Sequence, residues 1–241
     1  MMKKLVILLL FIPLISAAQF KDLIKKATDK AASVSGTSSG LDIAAGLKEA
    51  LNKGVTEQVS KLTKADGFYK NEAVKILMPD ELVKVDQALR KIGMSSLADD
   101  GIKALNRAAE DAVKEATPIF VSAIKNMSIT DAKGILLGAD NSATSYLQTN
   151  TTTALYSKFN PVVKTSIGKV GADVVWGNII TKYNSLPFVS KVNPDITDYI
   201  TTKALEGVFK MITVEEKDIR TNLNSRTSDV LKKGFALQDK K

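Results

Sequence analysis

Apolar side chains recur every three or four positions along most of this chain, and that spacing limits what the chain can fold into. Between residues 41 and 62 the series consists of Ala44, Leu47, Leu51, Val55, Val59 and Leu62. Because an α-helix turns once every 3.6 residues, such a series lies on one helical face. The same spacing returns over 80–93, 96–127 and 196–212, and no Asn-Gly hairpin signal lies between alternating residues. The pattern predicts helices packed on helices.

Turn and start signals divide the first half of the chain into separate helices. Asp66-Gly67 predicts a turn, and Pro79 predicts the start of a helix that ends at Gly93. Pro118 lies inside 96–127 and would kink or split that helix, because proline lacks the N–H that an interior helical bond needs. Ser128-Ile129-Thr130-Asp131 predicts the start of a short helix that ends near residue 138.

A long helix is predicted next, followed by the most ambiguous stretch. Asp140 or Asn141 would cap this helix, which stops or bends at Asn160-Pro161. The stretch 162–183 is rich in β-branched residues, which favours a strand. Its length and apolar spacing favour a helix, which is the structure that we expect.

The C-terminal region carries further helix signals. Asn193-Pro194-Asp195 opens a helix that continues to residue 212, and Thr213 with Glu216 matches a capping box, in which each side chain binds the other residue's N–H. A last helix runs from about Thr227 to Phe235. Together the signals predict an all-α fold, a single bundle-like domain of about eight helices over residues 41–238.

The N-terminus predicts export through the inner membrane of a bacterium. Lys3 and Lys4 precede an apolar stretch from Leu5 to Ile15, and Ser16-Ala17-Ala18 supplies small residues for cleavage before Gln19. Residues 1–18 are therefore predicted to be a cleaved signal peptide, too short for a membrane span. We expect the mature chain to be soluble, periplasmic and without a transmembrane span.

Residues 19–40 are predicted to precede the domain. A short amphipathic segment, either a loosely docked helix or a membrane-surface helix, is followed by a Ser/Gly linker over 33–40. The formal net charge of the whole chain is +8, which would suit anionic lipids or nucleic acid. Because the lysines are scattered among acidic residues, an ordinary solvated surface is the favoured interpretation, and no nucleic-acid partner is expected.

The composition excludes several kinds of chemistry. The chain contains no cysteine and no histidine, so it has no disulfide, no thiol nucleophile, no Ser-His-acid triad and no histidine-ligated metal. A carboxylate-only or Ser-Lys mechanism stays open, but no catalytic motif is present, and we predict no catalytic residues, no cofactor and no metal site. Carboxylates could collect calcium or magnesium, but the Asp-x-Asp-x-Asp-Gly loop is missing.

Polar residues that lie beside the apolar series are the candidate ligand-binding residues. They are Asn106, Arg107, Glu110, Asp131, Asp140, Tyr146, Glu216, Arg220 and Arg226. They would form either a pocket in which an arginine meets an anionic headgroup or carboxylate, or an internal network of ion pairs and helix caps. Acids and bases occur in similar numbers, which favours the internal network.

Three segments carry a resemblance to a known family. They are Asn106-Arg107-Ala108-Ala109-Glu110, Ser128-Ile129-Thr130-Asp131-Ala132 with Gly138-Ala139-Asp140, and Glu215-Glu216-Lys217-Asp218-Ile219-Arg220. In these segments the chain resembles the bacterial family called domain of unknown function 4197, from about Leu41 to Phe235. The resemblance implies an exported helical protein and carries no activity, cofactor or catalytic residue with it.

Two functions from different classes remain at this point. The first is a periplasmic, non-catalytic binding or scaffolding protein for a lipid, another apolar ligand or an envelope partner. The second is a hydrolase that uses carboxylates on an envelope polymer, which needs two acids converging in a cleft. A peripheral membrane protein that binds the bilayer through Phe20 to Ala31 is a third and weaker hypothesis.

Overall fold

The computed structural model describes residues 38–235, apart from scattered positions between 170 and 194. Its helices are α1 (Ser38–Leu62), α2 (Asp80–Lys91), α3 (Ser95–Val113), α4 (Ala116–Asn126), α5 (Ile129–Leu137), α6 (Ser142–Gly168), α7 (Ile196–Thr221) and α8 (Asp229–Phe235), with a 3-10 turn at Leu223–Ser225. The described residues contain no β-strand, so the prediction of an all-α fold is confirmed.

Several predictions fall partly or wholly outside these residues. The proposed signal peptide, and almost all of the segment and linker that follow it, lie outside the described residues. Residues 162–168 continue α6 as a helix, whereas many positions of 170–183 lie outside the description. None of the helices that are described is both long and apolar enough to cross a membrane.

Three helices form the centre of the fold. The two long helices α6 and α7 pack against each other, and α3 packs against both of them. The inner face of α3 carries Ala108, Ala109 and Ala112, which are fully buried and small enough to let a neighbouring helix approach closely. Phe120 of α4 meets Phe209 of α7 edge to face, with ring centroids 5.9 Å apart. Each fully buried Leu, Ile or Phe stabilises such a core by about 1.5–3 kcal/mol.

The two prolines act differently from each other. The split predicted near Pro118 is confirmed, since α3 ends at Val113 and α4 begins at Ala116, which places the proline in a first turn where its missing N–H costs nothing. Of the two outcomes predicted at Asn160-Pro161, a stop or a bend, the stop is wrong, because α6 runs on to Gly168. Phe159 and Val163 are buried on either side of the proline, and their burial offsets the lost helical bond.

The helix start predicted at Ser128 forms a capping box, whereas the capping box predicted at Thr213 does not form. The Ser128 hydroxyl accepts a bond from the N–H of Asp131 at 3.0 Å, and the Asp131 carboxylate accepts one from the N–H of Ser128 at 3.0 Å. The box predicted at Thr213 and Glu216 is wrong, since α7 continues through it and the Thr213 hydroxyl donates to the Phe209 carbonyl instead. Apolar packing on both sides keeps that stretch helical.

The C-terminal helix crosses the first helix at two glycines. A Cβ atom on Gly46 of α1 would lie 2.6 Å from the Val230 carbonyl oxygen and 2.8 Å from the Gly234 Cα atom of α8. Only glycine permits this approach, which explains a residue that weakens α1 locally. The Ser228 hydroxyl also donates to Glu49 at 2.6 Å, so the residue before α8 is tied to α1 as well.

A hydrogen bond between α6 and α7 generates a prediction about alkaline pH. The Tyr156 hydroxyl donates to Asp198 at 2.6 Å, and this bond raises the pKa of Tyr156 to about 12. An unfolded tyrosine has a pKa of about 10. The bond therefore stabilises the fold fully below pH 10 or so and is lost as the pH rises towards about 12.

We expect Tyr156→Phe to have a lower thermal midpoint than the unmodified protein at neutral pH. The gap in thermal midpoint between the two proteins should narrow as the pH rises from about 10 to about 12, where Tyr156 loses its proton. Circular dichroism melts across that range measure the gap. A gap that stays constant with pH would show that the phenol proton contributes nothing.

Candidate functional site

Glu216 lies on α7, and its carboxylate binds the first turn of α6. One oxygen accepts the N–H of Ala143 at 2.9 Å, and the other accepts the N–H and the hydroxyl of Thr144, each at 2.8 Å. Helix N-termini expose unpaired N–H groups and a partial positive charge, so a carboxylate there is stabilised. Glu216 is buried and acts as a cap supplied from a different helix.

Arg220 lies one turn after Glu216 and binds the end of α5. Its guanidinium donates to Glu216 at 2.8 and 3.0 Å, and to the carbonyls of Ile135 and Leu136 at 2.8 and 3.2 Å. A cation is favoured at a helix C-terminus, where carbonyl groups lack partners. The pair therefore fixes both sides of the α5–α6 connection against α7.

Arg226 repeats this arrangement at the end of α7. Its guanidinium donates to the carbonyls of Ile219 at 3.0 Å and Arg220 at 2.9 Å. The same group lies 5.1 Å from the centre of the Phe235 ring, a cation–π distance. Arg226 is buried, and it links the last turn of α7 to α8.

A second polar cluster lies on α3 and binds the segment between α1 and α2. The Asn106 amide accepts the N–H of Ile76 and donates to the Ile76 carbonyl, both at 2.8 Å, and it also donates to the Ile102 carbonyl at 2.7 Å. This pairing satisfies a buried backbone that belongs to no helix. Asn106 is completely buried. Its amide supplies the pair of hydrogen bonds that a neighbouring strand would otherwise give to this segment.

Glu110 and Arg107 bind the turn at the start of the same segment. One Glu110 oxygen accepts the N–H groups of Phe68 at 3.0 Å and Tyr69 at 3.3 Å, and the other accepts Arg107 at 2.5 Å. Arg107 also pairs with Asp66, which holds a left-handed φ of 69° at the predicted turn. Hydrogen bonds from Lys70 and then Arg107 keep the pKa of the Asp66 carboxyl below its usual value.

The remaining predicted residues lie outside these clusters. Asp131 and Asp140 are exposed, and hydrogen bonds to Ser128 lower the pKa of Asp131. Tyr146 is half-buried against the core, and its burial raises its pKa. The structure thus brings Arg107 to Glu110 and Glu216 to Arg220, while Asp131 and Asp140 belong to helix ends at the surface.

The space beside the Glu216–Arg220 pair is small and apolar. A cavity of about 20 Å³ lies there. Its apolar lining includes Leu47, Leu51, Val55, Ile212, Ile219 and Phe235. That volume is close to the room one water needs, and far from the 300–1,000 Å³ typical of ligand pockets. Among the described residues, no group of three or more carboxylates lies close enough to hold a metal ion.

Sequence reasoning missed a much larger groove on the surface. It has a volume of about 720 Å³ and runs between the segment 73–80 and the first half of α7. On this side it is lined by Asp195, which precedes α7, and by Asp198, Tyr199, Thr202, Lys203, Glu206, Gly207 and Lys210 of α7. Most of these side chains are polar and recur every three or four residues, which is the signal that could have identified an open helical face.

The Glu216–Arg220 pair generates a prediction about stability. Glu216→Gln removes the charge that neutralises buried Arg220, so we expect the free energy of unfolding to fall by about 3–5 kcal/mol. Glu216→Gln combined with Arg220→Met should cost less than the sum of the two single changes, because the two residues are coupled. Urea unfolding followed by circular dichroism measures all three variants.

The matched control for this prediction is Glu206→Gln on the same helix. Glu206 pairs with Lys203 at 2.7 Å, but the two side chains are 57% and 41% exposed. Loss of such a pair should change the free energy of unfolding by less than about 1 kcal/mol. A Glu216→Gln variant as stable as Glu206→Gln would contradict the role that we assign to the buried pair.

Asn106 generates a separate prediction. Asn106→Leu keeps the side-chain size but leaves the N–H and carbonyl of Ile76 without partners, and we expect a loss of about 2–5 kcal/mol in the free energy of unfolding. Limited proteolysis should then cut the segment 72–79 before the rest of the domain. Asn150→Leu, on the exposed face of α6, serves as the control. Equal effects of the two changes would contradict the prediction.

Comparison with known proteins and families gives a family match. No curated protein and no solved structure matches this chain. The model of one family, described as "Protein of unknown function (DUF4197)", matches residues 37–236, which are most of the chain and include both polar clusters. The match confirms the resemblance carried by the segments around Asn106, Asp131 and Glu216. The chain therefore belongs to the DUF4197 family.

Proposed function

We propose that this protein is exported to the periplasm and acts there as a non-catalytic scaffold that binds a protein partner in the cell envelope. Its N-terminus supports export, through two lysines, an apolar stretch and small residues before Gln19. The observation that carries the scaffolding role is an exposed apolar surface at the connection between α2 and α3.

This surface, here called the hairpin tip, consists of Ile92, Met94 and Leu97. Their exposed fractions are 70%, 43% and 52%. The three residues lie within six positions where α2 and α3 meet, and Arg90 of α2 pairs with Asp99 of α3 at 2.7 Å across the connection. Clustered exposed apolar residues with a polar rim are typical of protein–protein contacts.

The other candidate functions have less support. A lipid or other apolar ligand would need an interior volume larger than the cavity of about 20 Å³ beside Glu216. A carboxylate hydrolase would need two free acids in one cleft. Glu110 and Glu216 bind backbone N–H groups and arginines, and Glu215 accepts a bond from Gln58 at 2.5 Å. Of the acids in the surface groove, Asp195 accepts the N–H of Thr197 and Asp198 accepts the Tyr156 hydroxyl. The surface of the domain is therefore the better place to expect a partner.

Site-specific photo-crosslinking in cells tests the proposal. A photoreactive phenylalanine analogue at position 97 should give a discrete adduct with a second protein in the periplasmic fraction, from a chain whose mature N-terminus is Gln19. Ile92→Glu in the same chain should suppress the adduct, because a buried unpaired charge disfavours association.

The control places the same analogue at Val214, which is 54% exposed on α7. Adducts of equal yield at both positions, or none at position 97, would contradict a partner at the hairpin tip. An adduct of twice the chain mass would show that the partner is a second copy of this chain and not another envelope protein. A chain retained in the cytoplasm with Met1 in place would contradict export.

A further inference from the structure

The surface groove between segment 73–80 and α7 has the size and the shape of a peptide site. Its volume of about 720 Å³ lies within the range of binding clefts. Along α7 it extends from Asp198 to Lys210, which at 1.5 Å per residue is about 18 Å. An extended chain rises about 3.3 Å per residue, so the groove has room for about six residues.

Two contacts show how the wall of the groove runs relative to α7. Val74 lies beside Gly207, where an added Cβ atom would be 3.3 Å from the Val74 Cβ atom. Further along, the Tyr199 hydroxyl donates to the Leu77 carbonyl at 3.1 Å. A step forward from Val74 to Leu77 along the segment corresponds to a step back from Gly207 to Tyr199 along α7. The segment is therefore antiparallel to α7. Asp80 therefore lies towards the N-terminal end of α7, and Lys75 towards Lys210.

This direction separates the charges of the groove into two poles. The acidic pole contains Asp80, Asp195 and Asp198. The basic pole contains Lys75, Lys203 and Lys210, with Glu206 paired to Lys203 at 2.7 Å. Opposite charges at the two ends fix the orientation of a bound chain that carries complementary charges.

The wall between the poles has free backbone groups. Residues 75–79 form no helix or strand, and the N–H groups of Leu77 and Met78 donate to no acceptor among the described residues. The Leu77 side chain is 58% exposed. Successive N–H groups of an extended segment point to opposite edges, so an extended polypeptide beside this segment could accept one of the two and cover Leu77, as added strands do at exposed edges.

We infer that this groove binds an extended segment of about six residues from a partner protein, basic at the end near Asp80 and acidic at the end near Lys210. The inference adds a second contact to the proposed scaffolding function, on which it rests for the existence of a partner. Its chemistry is separate from that of the hairpin tip, because the ends are recognised by charge and the centre by the backbone.

Fluorescence anisotropy with synthetic peptides and the purified mature chain tests the inference. Two probes carry a basic block, an apolar centre and an acidic block, in the two possible orders, and a third has the same composition with alternating charges. One block-charged probe should bind more tightly than the alternating probe, and its Kd should rise with salt because the contacts are exposed.

Charge reversals in the groove identify the site. Lys210→Glu and Asp80→Lys change exposed residues at opposite poles, and each should raise the Kd of the preferred probe about fivefold. Lys217→Glu, an exposed position of α7 outside the groove, should leave the Kd unchanged. Thermal melts verify that all three variants remain folded.

Two results would overturn the inference. One is equal binding of the block-charged and alternating probes, and the other is an equal effect of Lys217→Glu and Lys210→Glu, which would indicate unspecific attraction. Both results leave the scaffolding proposal intact, because that proposal is tested by crosslinking at position 97. Conversely, loss of the crosslink does not affect peptide binding by the purified chain.

Discussion

The buried pair of Glu216 and Arg220 is the interaction on which the rest of the arrangement depends. Two opposite charges are removed from water, which costs several kcal/mol per ion unless every polar atom finds a partner. Here the remaining partners are the N–H groups that begin α6 and the carbonyls that end α5. The desolvated charges thus satisfy helix ends that would otherwise be buried without partners, and one turn of α7 sets the positions of two other helices.

The same principle operates on α3, with an irregular segment in place of a helix end. Asn106 pairs with the backbone of Ile76, and Glu110 with the N–H groups of Phe68 and Tyr69. These contacts hold the segment between α1 and α2 without help from regular secondary structure. Because the side chains are used in this way, the polar residues beside the core have few bonding positions left for a ligand.

Because these interior polar groups already have partners within the chain, we expect a binding partner to contact the surface. The helix that follows the segment, α2, packs chiefly on α3, and the connection between them exposes apolar residues that a core would normally bury. The groove lies between the segment and α7. Both proposed contacts thus depend on the part of the chain between α1 and α3, which Asn106 and Glu110 position.

What the sequence determined by itself was local. The spacing of apolar residues identified the helices, Ser128 and Asp131 marked a true helix start, and Pro118 marked a break, because each signal acts within a few residues. Tertiary structure alone decided that α6 continues through Pro161 and that Glu216 caps a helix 72 residues away instead of its own. It also decided that Asn106 meets Ile76 and that Val74 lies beside Gly207. These outcomes depend on how whole helices pack, and the burial of many remote side chains outweighs a preference expressed by a few neighbouring residues.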